Sequence, residues 1–283
     1  MDTYARYLSV AKEIPCQEIG KSLFGREIYA FFVGNPTVRP VIMQSAIHAR
    51  EWVTAEVCLE LLSFARKMEV KGAYWFLPIT NPDGVLLAIR GIQTAPASYR
   101  NRLLKINGSK DFSLWKANGR GVDLNVNFSA RHGEGRQNVF APAPENFVGK
   151  FPESEPCTKA LVRFTRAVNP CLTISFHTKG QEIYYDFPSE KDVFSGDKTL
   201  GEQILAPLNY PFKTAPFSVG GYKDWCIQTL QIPAYTVELF SDALSHPVQK
   251  TALTGFTPKL RQILQNTENV LWSNGKSSCA PPY

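Results

Sequence analysis

Apolar positions along this chain fall into two alternating kinds of run. Pro40 to Ser45 and Ala73 to Ile79 are short and almost continuously apolar, the pattern of strands covered on both faces. Between them, Thr54 to Met68 places Val57, Leu61, Leu62 and Ala65 at helical spacing. The chain opens with a helix over Tyr4 to Glu13. Cys16 to Ile19 and Arg26 to Val33 then read as paired strands separated by the turn-forming stretch Lys21 to Gly25. Asn81-Pro82-Asp83-Gly84 reads as a turn closing the second apolar run. Beyond it, Ile89 to Asn118 is weakly patterned and Gly133 to Pro152 is loop-like. Glu155 to Val168 predicts a helix, and Cys171 to Phe176, Glu182 to Asp186 and Tyr235 to Leu239 are β-type runs. Pro258 to Trp272 predicts a closing helix.

Strands alternating with helices predict an α/β protein with a parallel or mixed sheet and helices on both faces. Ligands of such sheets collect at the carboxyl ends of the strands. Three polar features fall at or in β-type runs: His48 to Glu51, His177 and Glu238.

A chain of 283 residues makes one or two domains. No repeat, low-complexity tract or Gly/Pro/Ser-rich linker divides it, so residues 1–283 are expected to form a single domain. The composition, 44% hydrophobic and 20% charged, excludes disordered, collagenous and coiled-coil classes. Lys and Arg exceed Asp and Glu by 31 to 25, a mild excess with no basic run, so nucleic acid is not the obvious partner and a small or polymeric anionic substrate is as good a reading. Six cysteines (Cys16, Cys58, Cys157, Cys171, Cys226, Cys279) occur singly, so neither a structural zinc knot nor a disulfide scaffold is expected. The N-terminus lacks a signal-peptide profile, and no apolar run reaches the ~20 residues of a membrane span. The expectation is a cytoplasmic protein with no membrane insertion, or one acting at the cell wall if a leader has been removed.

His48 and Glu51 stand three residues apart where a buried strand gives way to a helix, so one ion could bind both. His177 ends the apolar run Leu172 to Phe176 and can supply a third ligand. Two His, one Glu and an open position for water form a catalytic zinc arrangement. The His-x-x-Glu spacing alone is weak, and its neighbours decide its meaning. They are His48-Ala49-Arg50-Glu51-Trp52, Asn81-Pro82-Asp83-Gly84, Gly121-Val122-Asp123-Leu124-Asn125 and Ser175-Phe176-His177, then Gly220-Gly221 with Asp224-Trp225, and Tyr235-Thr236-Val237-Glu238-Leu239.

These six motifs, in this order, resemble those of the zinc metallocarboxypeptidases over nearly the whole chain. The resemblance implies a single α/β/α sandwich on a mixed, roughly eight-stranded twisted sheet, with one Zn2+ per chain. It implies His48, Glu51 and His177 as zinc ligands and Glu238 as the base that deprotonates the zinc-bound water. A buried strand carboxylate without such a task would be costly. Arg50 and Asn125 are implied at the substrate, and Asp123 behind the first imidazole. Lys116, or alternatively Arg120, matches the cation that stabilises the developing oxyanion.

Two departures bear on the substrate. Most of the family carries an arginine that clamps the terminal α-carboxylate, and Val126 stands in its place. Arg131 or Arg136 is left to replace it. Lys223 falls on the position at the bottom of the specificity pocket, beside Tyr222, where an ammonium would favour an anionic side chain; a solvated surface lysine is the alternative. Pro216 falls near the family's active-site tyrosine. Together these features resemble the bacterial branch that cleaves γ-D-glutamyl bonds to diamino acids. The expected substrate is a peptidoglycan stem peptide or muropeptide cut at γ-D-Glu–meso-diaminopimelate. The alternatives are a conventional carboxypeptidase for acidic C-terminal side chains and an inactive module binding wall fragments.

Overall fold

A computed structural model describes residues 1–187 and 194–272 of the chain. Eight strands form one mixed sheet in the order β1-β2-β4-β3-β5-β8-β6-β7, as expected from the alternating runs. The strands are β1 (Gln17–Lys21), β2 (Glu27–Gly34), β3 (Val41–Ser45), β4 (Ala73–Leu77), β5 (Leu172–Thr178), β6 (Glu182–Tyr184), β7 (Phe212–Lys213) and β8 (Ala234–Leu239). Strands β4, β3, β5 and β8 pair in parallel at the centre, whereas β1, β2 and β6 join antiparallel. The central strands are buried on both sides because helices cover both faces. Every residue of β3 and β5 is buried.

Side-chain alternation sorts the two faces. Ile174, Phe176, Tyr235 and Val237 join the larger core with α2 (Val53–Lys67) and α8 (Thr257–Trp272). Ile42, Leu77 and Ala234 face the second core with α5 (Pro156–Val168) and Trp225. That alternation aims His177 and Glu238 away from the larger core.

Several sequence expectations change. Asn81 to Gly84 begins a helix, α3 (Pro82–Arg90), rather than a turn: Asn81 is its N-cap, accepting from Gly84 N, and Pro82 opens the first turn. The weakly patterned stretch contains α4 (Ala97–Asn107), whose apolar signal is faint because only Leu103 is buried. Helices α1 (Thr3–Glu13), α6 (Lys198–Ile204) and α7 (Tyr222–Trp225) complete the α-helices among the described residues. Cys58, Cys157 and Cys226 are buried free thiols and Cys16 is half-buried. Cys171 is disulfide-bonded, and Cys279 lies outside the described residues. Among the described residues, no helix is long and apolar enough to cross a membrane.

Candidate metal centre

The carboxyl end of β3 runs into a single 3-10 turn, Ala49–Glu51, whose N-cap is His48. Thr54 Oγ1 fastens the corner by accepting from Ala46 N (2.9 Å) and donating to the Glu51 carbonyl (2.8 Å). Asn81 braces it from α3, because its Nδ2 donates to the carbonyls of Ile47 and Ala117. The loop carrying His48 and the loop carrying Lys116 are thereby tied to one side chain. Gly84 permits the approach, since a Cβ there would lie 2.4 Å from the Ala117 carbonyl oxygen.

Three donor atoms converge. His48 Nδ1 is 2.9 Å from Glu51 Oε1 and 3.1 Å from His177 Nδ1, which is itself 3.1 Å from Glu51 Oε2. All three residues are buried, and one ligand atom from each lies within 4.8 Å of the others. Two imidazole nitrogens that face each other across a carboxylate fit a divalent cation of zinc's preference for N and O donors. His48, Glu51 and His177, the three residues the sequence singled out, are thus brought together in a cluster able to hold a metal ion. The far nitrogen of His48, Nε2, stands 3.3 Å from Asp123 Oδ1, while Lys116 Nζ pairs with Asp123 Oδ2 at 2.8 Å. Asp123 therefore stands behind the first imidazole, where it would fix which nitrogen faces a bound ion.

Electrostatics follow from this packing. Burial alone would raise the carboxyls of Glu51 and Asp123, but the two imidazoles around Glu51, and Lys116 with His48 around Asp123, hold both well below the usual carboxylate range. Burial lowers and Asp123 raises Lys116, with a net upward shift. Glu238 behaves oppositely. Burial raises its carboxyl and Glu51 adds to the effect, outweighing His177, so it binds a proton more readily than an ordinary glutamate. That is the electrostatic profile of a carboxylate able to take up a proton.

Glu238 pairs in register with His177 across β5 and β8, and with Glu182 across β6. It lines a cavity of about 520 Å³ together with His48, Lys116, Asn125, Val126 and Lys223. Tyr184 and Thr236 lie on the same wall, and strand alternation with Glu182 and Glu238 was the signal that could have found them. Asn146, whose Oδ1 is 3.4 Å from Lys116 Nζ, lies in a loop that carries no sequence signal. Two other depressions, of about 620 and 730 Å³, hold no cluster of metal ligands among the described residues.

Other sequence candidates resolve as follows. Lys116 reaches the cavity, whereas Arg120 turns to Glu155, with Nη1 3.2 Å from Oε1. Arg50 is engaged by Glu145 (3.1 Å) and the Leu114 carbonyl (3.4 Å), and does not line the cavity. Asn125 lines it and accepts from Tyr222 N at 3.1 Å. Tyr222 itself is corrected. Its ring is fully buried between Phe128 and Trp225, and its hydroxyl bonds Thr165 at 2.8 Å, because the short helix α7 turns that side chain into the core.

Lys223 is neither a surface lysine nor a free ammonium. It is 8% exposed, and Nζ lies 2.6 Å from Asp224 Oδ1. Arg136 borders the cavity, whereas Arg131 pairs with Glu134 outside it. Pro216 and the exposed Phe217 form part of the cavity rim.

Comparison with known proteins agrees with this geometry. A family model described as zinc carboxypeptidase matches residues 7–273. Gamma-D-glutamyl-L-diamino acid endopeptidase 1 of Lysinibacillus sphaericus is 32% identical over 249 residues, covering 82% of this chain and 62% of that protein. The chain thus spans less than two thirds of that relative. Among solved structures, thrombin-activatable fibrinolysis inhibitor superposes with a TM-score of 0.71 at 20% identity, over 94% of this chain and 75% of that one. A murein-tripeptide amidase from Escherichia coli O157 superposes with a TM-score of 0.59 at 20% identity, over 89% and 93%. At these identities the superpositions show the shared fold.

Proposed function

The chain belongs to the zinc carboxypeptidase family and is a zinc metallopeptidase, and from that premise we propose that it hydrolyses the γ-D-glutamyl–meso-diaminopimelate bond of peptidoglycan stem peptides. Held by His48, Glu51 and His177, zinc supplies Lewis acidity toward a peptide carbonyl and toward water. Glu238 accepts a proton from the attacking water and returns it to the leaving amine. Lys116 balances the charge that develops on the carbonyl oxygen, and Asp123 keeps both Lys116 and His48 in place.

One observation carries the choice of substrate: Val126, uncharged, forms the cavity wall where the resemblance places an arginine clamp for a terminal carboxylate. A diaminopimelate whose carboxylate is already joined to a further residue has no use for that clamp. The activity named for the Lysinibacillus relative supports the same reading. A conventional carboxypeptidase for acidic side chains is disfavoured, because Asp224 already neutralises Lys223.

The test is hydrolysis of L-Ala-γ-D-Glu-meso-diaminopimelate, and of its D-Ala-extended form, by the zinc-loaded protein. Release of the diaminopimelate product from both is expected. Trimming of ordinary peptides with a free C-terminus, with loss of activity on their amides and none on the stem peptides, would refute the proposal.

A further inference from the structure

Positive charge in the cavity is compensated along the inner wall and uncompensated at the rim. Lys116 is paired with Asp123 at 2.8 Å and Lys223 with Asp224 at 2.6 Å, while the His48 imidazole lies between Glu51 and Asp123. Arg136 also lines the cavity, yet its guanidinium has no partner among the described residues. Residues 135–138 and 214–219, which form this part of the rim, contribute no acidic side chain.

The backbone fixes where Arg136 stands. Asn138 N donates to the Gly135 carbonyl at 3.0 Å, closing a turn with Arg136 and Gln137 at its central positions. Arg136 N donates to the Phe217 carbonyl at 2.9 Å, and Val139 N donates to the Asn146 carbonyl at 3.0 Å, so the turn is held at its middle and its end. Asn138 adds a second donor, because its Nδ2 is buried without an acceptor and the residue lines the cavity. Gly135 leaves room for that amide: a Cβ there would lie 2.8 Å from Asn138 Oδ1. A guanidinium and an amide that both lack acceptors, in a corner free of carboxylates, are completed by an anion, and a carboxylate matches the guanidinium fork.

Position along the wall decides which carboxylate. A Cβ on Gly220 would lie 3.1 Å from the Val126 carbonyl oxygen, and Phe217, three residues before Gly220, holds Arg136. From the half-buried Val126 the wall therefore runs outward through Gly220 and Phe217 to the exposed Arg136. A residue joined to the carboxylate of the cleaved amino acid carries its own terminal carboxylate about 3.5 Å further along the chain.

We infer that Arg136, with Asn138 Nδ2, binds the terminal carboxylate of the residue that follows diaminopimelate, so that a stem peptide extended by one residue is the preferred substrate. This rests on the proposed function for the identity of the cleaved amino acid, and adds where the substrate ends. Arg136 is a binding residue and takes no part in proton transfer.

The experiment compares L-Ala-γ-D-Glu-meso-diaminopimelyl-D-Ala as the free acid and as the C-terminal amide, using the zinc-loaded protein. The same pair is then assayed with an α-linkage in place of the γ-linkage. In whichever frame is cleaved, kcat/KM for the acid is expected to exceed that for the amide by about three- to tenfold at low salt. The two are expected to converge as salt rises to about 0.5 M, because the contact is exposed. Arg136→Gln is expected to equalise acid and amide, and Arg136→Lys to keep part of the difference, since an ammonium supplies the charge without the fork. Equal rates on acid and amide in the unaltered chain, or an unchanged ratio in Arg136→Gln, would overturn the inference; cleavage of the γ-frame with that result leaves the proposed function standing. Cleavage confined to the α-frame, with the acid preferred and the preference lost in Arg136→Gln, would sink the proposed function and keep the Arg136 site. No cleavage in either frame overturns both.

Discussion

His177 and Glu238 are register partners on adjacent parallel strands, so the third metal ligand and the raised carboxylate project from one face at one strand spacing, about 4.8 Å. Residues 61 positions apart in sequence thereby meet through the backbone ladder and need no flexible loop to bring them together. Glu238 coordinates nothing in this geometry and is free to handle a proton. Glu238→Gln is therefore expected to bind zinc stoichiometrically and to lose about 10²- to 10⁴-fold in kcat. Metal analysis beside steady-state kinetics checks this, and full activity in the variant would exclude Glu238 as the base.

Asp123 sits between His48 Nε2 and Lys116 Nζ with no exposed surface. Asp123→Asn keeps the shape and removes the charge that both the His48 imidazole and the Lys116 ammonium use. Zinc affinity is expected to fall about 10- to 100-fold, measured by competition with a chromogenic chelator. An unchanged zinc affinity would remove Asp123 from the metal site's support.

Val126→Arg restores a cation to the cavity wall. Peptides with a free C-terminal carboxylate are expected to gain on their amides, by on the order of tenfold in the ratio of kcat/KM. Side-by-side assay of acid and amide measures it. An unchanged ratio would mean that the carboxylate is not presented at position 126.

Glu56 on α2 ties three segments, pairing with Arg6 of α1 and with Lys250 at 2.5 Å. Burial raises its carboxyl, but Lys250 and Arg6 outweigh burial, so its folded value lies below the ordinary 4.5. A depressed carboxyl stabilises the fold at all pH values above its unfolded pKa, and that contribution disappears as pH falls from about 4.5 through the folded value. Glu56→Gln is expected to cost about 1–3 kcal/mol near neutrality and to flatten the acid side of the stability profile. Urea titrations between pH 3 and 7 test both effects.

Gly84→Ala introduces a Cβ 2.4 Å from the Ala117 carbonyl oxygen and 2.6 Å from Asn81 Nδ2. Neither can retreat without moving the Lys116 loop. A loss of about 1–3 kcal/mol in stability is expected, with a fall in kcat at temperatures where the protein stays folded. Thermal unfolding and activity at low temperature separate the two effects.

The central strands were legible because helices bury both their faces, leaving nearly continuous apolar runs in β3 and β4. The triad's residues stand at the ends of such runs, but only the resemblance carried by the surrounding motifs gave them a role. Helix α4 was not legible, since ten of its eleven residues escape burial and leave no stripe to read. Asn81-Pro82-Asp83-Gly84 misled because the same residues that favour turns also cap and open helices. Tyr222 and Lys223 are adjacent, yet in the fold one turns to Thr165 and the other to Asp224. Side-chain direction in a four-residue helix is decided by tertiary packing, which no local pattern encodes.

The separation between the ligands has its own consequence. Glu51 and His177 are 126 positions apart, and the strands that present them meet only once β3 has paired with β5. An unfolded chain offers at most the weak His48-Glu51 half of the site. Metal affinity is therefore spent almost wholly on the native topology, so that loading with zinc and resistance to denaturation are two readings of a single equilibrium.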